Sequence, residues 1–120
     1  MSKVILDSSI EVHRNLGPGL LEGVYEKCLC KEFDLRGIKY FKQVKLPIKY
    51  KQFDINAHLV IDLLVENEII IELKAVDALH PVHEAQLITY LKLADKRLGF
   101  LINFNVPKLV DGFKRKVNNF

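Results

Sequence analysis

The chain has 120 residues, 49% of them hydrophobic and 28% charged, and a formal net charge of +3. That balance belongs to a globular chain and excludes a disordered or low-complexity one. No apolar run is long enough to cross a bilayer, and the opening stretch MSKVILDSSIEVHRNLG lacks an unbroken apolar core, so neither a membrane span nor a signal peptide is expected.

Residues 3–16 read as a first helix, with Ile5, Val12 and Leu16 near one face, and GPG at 17–19 breaks it. Residues 20–36 read as a second helix whose apolar side is Leu21, Val24, Tyr25, Cys28, Leu29 and Leu35, and Gly37 stops it. Cys28 and Cys30 point in different directions on such a helix and are read as reduced thiols of a cytoplasmic protein. A lone CxC pair is a poor metal site.

A strand region follows. YFKQVKLPIKY (40–50) alternates in part, and Pro47 argues for an edge strand or a bulge. AHLVIDLLV (57–65) and IIIELKAV (69–76) are apolar on both faces, as central strands are, with ENE (66–68) as the turn. Pro81 opens a helix that runs to about Ala94, with His80 at or before its cap. LGFLINF (98–104) is a strand, and GFKRKV (112–117) a last edge strand. The order α-α-β-β-β-α-β-β predicts an α/β (α+β) fold, a central mixed sheet flanked by helices, in one domain over 1–120. Lys39, Lys42, Lys45, Lys49 and Lys51, with FKRK at 113–116, have two readings. They guard edge strands, or they face phosphates.

Asp62, Glu72 and Lys74 are the anomaly, because all three sit inside strands that should be dry. Glu72 and Lys74 share a strand face. A three-residue ENE loop pairs Val65 with Ile69 and sets Asp62 opposite Glu72, whereas a two-residue loop separates the carboxylates; Asn67, tolerant of left-handed backbone, favours the former. Two facing carboxylates repel, and one takes a proton unless a cation intervenes. Hard oxygen ligands at this spacing suit Mg²⁺ or Mn²⁺, and Lys74 is placed to offset phosphoryl charge or orient a water. The competing reading is a buried salt bridge from Lys74, a poor way to stabilise a core.

D…ExK on two adjacent strands between helices resembles the PD-(D/E)XK nuclease superfamily. Gly19, Glu22 and Tyr25 in GLLEGVY form a G-x-x-E-x-x-Y pattern, and Gln86 and Tyr90 in QLITY form a Q-x-x-x-Y pattern like that of the RecB-type branch. With IIIELKAV and LINF, nearly the whole chain looks like the GxxExxY family. The resemblance implies a restriction-endonuclease-like core. It adds Glu22 to a metal site of Asp62, Glu72 and the Leu73 carbonyl, and has Gln86 position catalytic groups or substrate and Tyr90 contact the backbone. His83 is read either as touching a phosphate or as merely exposed, while His13 and His58 are read as structural. Ile61 stands where the motif's name has a proline.

The implied function is Mg²⁺- or Mn²⁺-dependent hydrolysis of phosphodiesters in DNA. A chain this short leaves no room for a separate recognition domain, so a homodimer or partner protein is expected for a duplex substrate. The alternatives are a catalytically silent nucleic-acid-binding or interaction module, and an enzyme for a small nucleotide substrate.

Overall fold

The computed structural model describes residues 1–119. Helices α1 (Ser2–Leu16) and α2 (Glu22–Leu35) come first, separated by the GPG break, where Gly17 and Gly19 take φ of 71° and 95°. Helix α2 buries Tyr25, Leu29 and Phe33, a stripe at i, i+4 and i+8, together with Cys30. Tyr25, Cys28 and Leu29 lie on the buried side as expected, whereas Leu21, Val24 and Leu35 are exposed. Leu21 is an extended N-cap residue, outside the helix. Val24 and Leu35 lie off the stripe that meets the sheet.

Strands β1 (Tyr40–Tyr50), β2 (Phe53–Val65), β3 (Ile69–Lys74), β4 (Leu98–Asn103) and β5 (Phe113–Val117) form one sheet in the order β1-β2-β3-β4-β5. All neighbours are antiparallel except β3 and β4, which run parallel and are joined through α3 (Pro81–Ala94). That crossover is what a parallel pair requires. Val65 pairs with Ile69, so the ENE loop has three residues, with Glu66 and Asn67 at φ of 53° and 55°. Pro47 lies on an edge strand, and the register slips just after it, between Ile48 and Lys49. Strand β2 begins at Phe53, four residues earlier than its apolar run suggested. A short 3₁₀ turn, Leu109–Gly112, precedes β5.

The sheet divides two apolar cores. Helices α1 and α2 cover one face, where Ile5, Tyr25, Leu29 and Phe33 meet Leu63, Val65, Ile71, Leu73 and Ile102. Helix α3 covers the other, where Leu87 and Leu91 meet Ile70 and Leu101. Each such side chain contributes about 1.5–3 kcal/mol on burial. On β3 the odd residues face α1 and α2, so Glu72 and Lys74 share the α3 side with Ile70. Strand β2 breaks its own alternation: Leu63 and Val65 join the first core, yet Ile61 and Leu59 join the second. The ribbon therefore turns over near Asp62. No helix among the described residues is long and apolar enough to cross a membrane.

The 3₁₀ turn presses against the end of β4. A Cβ on Gly112 would lie 2.2 Å from the Asn103 carbonyl oxygen, a backbone atom that cannot swing aside. Gly112→Ala is therefore expected to cost about 1–3 kcal/mol in urea unfolding. A wild-type midpoint for this variant would show that the turn yields freely.

Candidate active site

The pairing of β2 with β3 consists of Leu63↔Ile71, Leu64↔Ile70 and Val65↔Ile69. One step further stand Asp62 and Glu72, and there side chains replace the backbone rung. The Asp62 N–H donates to Glu72 Oε1 at 3.3 Å, and the Leu73 N–H donates to Asp62 Oδ2 at 2.8 Å. The β1–β2 ladder is interrupted at the same level: Lys42↔Leu63 and Val44↔Ile61 pair, but Gln43 and Asp62 between them do not. Gln43 has a left-handed φ of 52°, and its Nε2 donates to Glu26 Oε1 at 2.7 Å. Irregularities of this kind bend a strand and re-aim a side chain. Glu26 thus ties α2 to the turnover point instead of joining the site.

Glu72 is only 6% exposed. Its carboxyl is pushed up to about 9, first by burial, then by the negative charge of Asp62 and the hydrogen bond between the two carboxyls; Lys74 opposes the shift. Lys74 is half-buried, and among the described residues it makes no ion pair with either acid. The buried salt bridge that the sequence also allowed is not built.

Glu22 begins α2 as an exposed residue; partial desolvation of its carboxyl, then the charge of Asp62, raises its pKa, while Lys74 lowers it. Those couplings bring Glu22 into the field of the pair. Its G-x-x-E-x-x-Y neighbours act as a brace. The Tyr25 hydroxyl donates to the Gly17 carbonyl at 2.6 Å and accepts from the Leu20 N–H at 3.1 Å, and its ring stacks on Phe104 at 4.6 Å. Gly19 supplies the positive φ that the turn needs.

From α3, Tyr90 feels the site as well: burial, then the charges of Glu72 and Asp62, raise its hydroxyl pKa. Gln86 stands one turn earlier and is exposed, without a hydrogen-bond partner among the described residues. His83 is occupied in capping, since its Nδ1 accepts the His80 N–H at 3.1 Å. His13 Nε2 contacts the Val106 carbonyl at 2.8 Å, and His58 lies exposed on the β1–β2 ribbon.

Sequence reasoning passed over Asn103. It is buried opposite Lys74, and its side chain clamps Val76 at both backbone atoms, accepting from the N–H at 3.1 Å and donating to the carbonyl at 2.9 Å. This lock fixes the chain just beyond Lys74. Its only sequence signal was an asparagine inside the apolar run LINF.

A family model described as the PD-(D/E)XK nuclease superfamily matches residues 1–116. The chain belongs to that superfamily. Its three helices and five-stranded mixed sheet agree with a restriction-endonuclease-like fold. No curated relative and no solved structure matches the chain. Nucleases of the superfamily generally use divalent metal ions, and the donor set here fits one. Two hard carboxylates share a proton-trapping pocket beside the Leu73 backbone, and Mg²⁺ commonly takes one or two protein carboxylates plus substrate phosphates. Among the described residues no group of three or more His, Cys, Asp or Glu side chains forms a ready cage, and Glu22 is tied to the pair through the charge of Asp62.

Unfolding returns Glu72 from about 9 to the usual 4.5. The stability this group contributes is complete below the lower value and drains away as pH rises toward the higher one. In chelator, the wild type should lose stability between about pH 5 and 9, and Glu72→Gln should flatten that slope. Urea titrations across the range decide it, and parallel slopes for the two proteins would refute the assignment.

Proposed function

We propose that the chain is a metal-dependent nuclease that hydrolyses phosphodiester bonds of DNA. The observation that carries this reading is the Asp62–Glu72 carboxylate pair in the opening between β2 and β3, with Lys74 beside it and without an ion pair among the described residues. Asp62, Glu72 and the Leu73 carbonyl would hold Mg²⁺ or Mn²⁺, with Glu22 contributing from α2. When bound, such a cation acidifies water and withdraws charge from a phosphodiester. Lys74 orients the attacking water and offsets charge that develops on the phosphate. Tyr90, electrostatically coupled to both acids, contacts the substrate backbone, and Gln86 on the same helix face positions it. Gly19, Glu22 and Tyr25, with Gln86 and Tyr90, support placement in the GxxExxY branch. The reading carries with it one domain, a cytoplasmic setting and, for duplex substrates, a homodimer or partner protein.

One observation favours a second reading, a nucleic-acid-binding or interaction module without turnover: among the described residues no group of three or more His, Cys, Asp or Glu side chains is assembled to hold a cation. Calorimetric titration of Mn²⁺ separates the two. Wild type should bind saturably and Glu72→Ala should not. With Mg²⁺ present, Glu72→Ala and Lys74→Ala should each slow cleavage of single- or double-stranded DNA by on the order of a hundredfold or more, while keeping the wild-type circular dichroism. Cleavage that persists in chelator would sink the nuclease reading. DNA binding without cleavage under any metal would establish the module.

A further inference from the structure

Among the described residues no third strand joins β2 beyond Asp62, and residues 53–61 pair with β1 alone. The base of this two-stranded ribbon is anchored: Val44, Leu46, Ile48, Leu59 and Ile61 pack into the α3-side core. Its end is not. Lys49 to His58 are ten consecutive exposed residues. Tyr50 and Phe53 flank the terminal turn as a cross-strand pair, so their rings share a face, and they are 61% and 72% exposed. The Lys51 ammonium sits 5.5 Å from the centre of the Tyr50 ring. Lys42, Lys45, Lys49 and Lys51 run along the ribbon against a single acid, Asp54, whose carboxylate is engaged by the Asn56 N–H at 2.9 Å.

We propose that this ribbon is a nucleic-acid arm: its lysines hold backbone phosphates, and Tyr50 and Phe53 at its tip stack on unpaired bases. The inference rests on the nuclease reading and assigns it a substrate class, DNA with a single-stranded portion. Interspersed cations disfavour a second copy of the same tip by like-charge repulsion, and they match a polyanion. Exposed aromatic faces need a planar partner, and a paired duplex keeps its base faces hidden within the stack. Reach agrees with a polymer. The nine residues from Phe53 to Asp62, at about 3.3 Å each, set the tip on the order of 30 Å from the carboxylate pair, roughly nine nucleotides at B-form spacing.

The test is fluorescence anisotropy with a labelled 24-nucleotide single strand and a blunt 24-base-pair duplex, with Ca²⁺ replacing Mg²⁺. The double variant Tyr50→Ala/Phe53→Ala should bind the single strand about tenfold or more weakly and the duplex nearly as the wild type does. Lys49→Gln/Lys51→Gln should weaken both and lower the salt slope by about one to two. Unchanged thermal unfolding and Mn²⁺ binding would show that both variants fold. Wild-type affinity of the aromatic variant for the single strand, or equal losses on both substrates, would overturn the proposal. So would a drop in oligomeric state on sedimentation with DNA affinity unchanged, which would make the tip a contact between copies. If wild type binds and cleaves while neither variant differs from it, the arm alone fails. A wild type that binds neither DNA overturns the arm and the nuclease reading together.

Discussion

Two carboxylates are held where they cannot both keep their charge, and the architecture around them follows from that. Strands β2 and β3 stay together for three residue pairs and then part, so that Asp62 and Glu72 take over the hydrogen bonding that the backbone gives up. A continuous ladder would have buried these side chains side by side without access. A wider opening would have hydrated them and returned Glu72 to an ordinary carboxylate. The opening lies between these limits, dry enough to hold Glu72 protonated and open enough to leave Lys74 half-exposed at its margin.

Several polar contacts away from the pair keep the opening in shape. Glu26 grips Gln43 at the point where the ribbon turns over. Tyr25 ties the start of α2 to the loop before it and braces that loop against Phe104 at the end of β4. Asn103 pins the backbone that follows Lys74. Each joins a helix, loop or strand end to the same small region, and none touches the two acids.

The sequence was most legible where local chemistry dominates. Asn67 and the length of ENE gave the loop and hence the register that sets Asp62 against Glu72, and Pro81 gave the start of α3. It was least legible where tertiary packing overrides a period. Counting alternate residues along β2 fails past Asp62, because the ribbon turns over there, and Gln43, whose left-handed backbone accompanies the turn, carries no glycine or asparagine signal. The buried side of α2 was legible at Tyr25, Cys28 and Leu29 and misread at Leu21, Val24 and Leu35, because Leu21 precedes the helix and the other two lie off the stripe that meets the sheet. Gly19, Glu22 and Tyr25 were visible as a motif, but the division of labour within it, one acid coupled by charge to Asp62 and two residues bracing the turn before it, rests on contacts that the sequence does not carry.

The sheet's spatial order repeats the order of the chain, and this bears on how the molecule assembles. Tight turns join β1 to β2 and β2 to β3, and a short 3₁₀ segment leads into β5, so these pairings form between near neighbours at small loop-closure cost. Only the parallel seam between β3 and β4 must wait for an intervening helix. Non-local pairings are the slow ones. Glu72 and Lys74 lie on one side of that seam and Asn103 on the other, so the carboxylate pair can form early, within a hairpin, while the backbone beyond Lys74 stays loose until β4 docks. A growing chain would carry both acids well before it could aim the lysine.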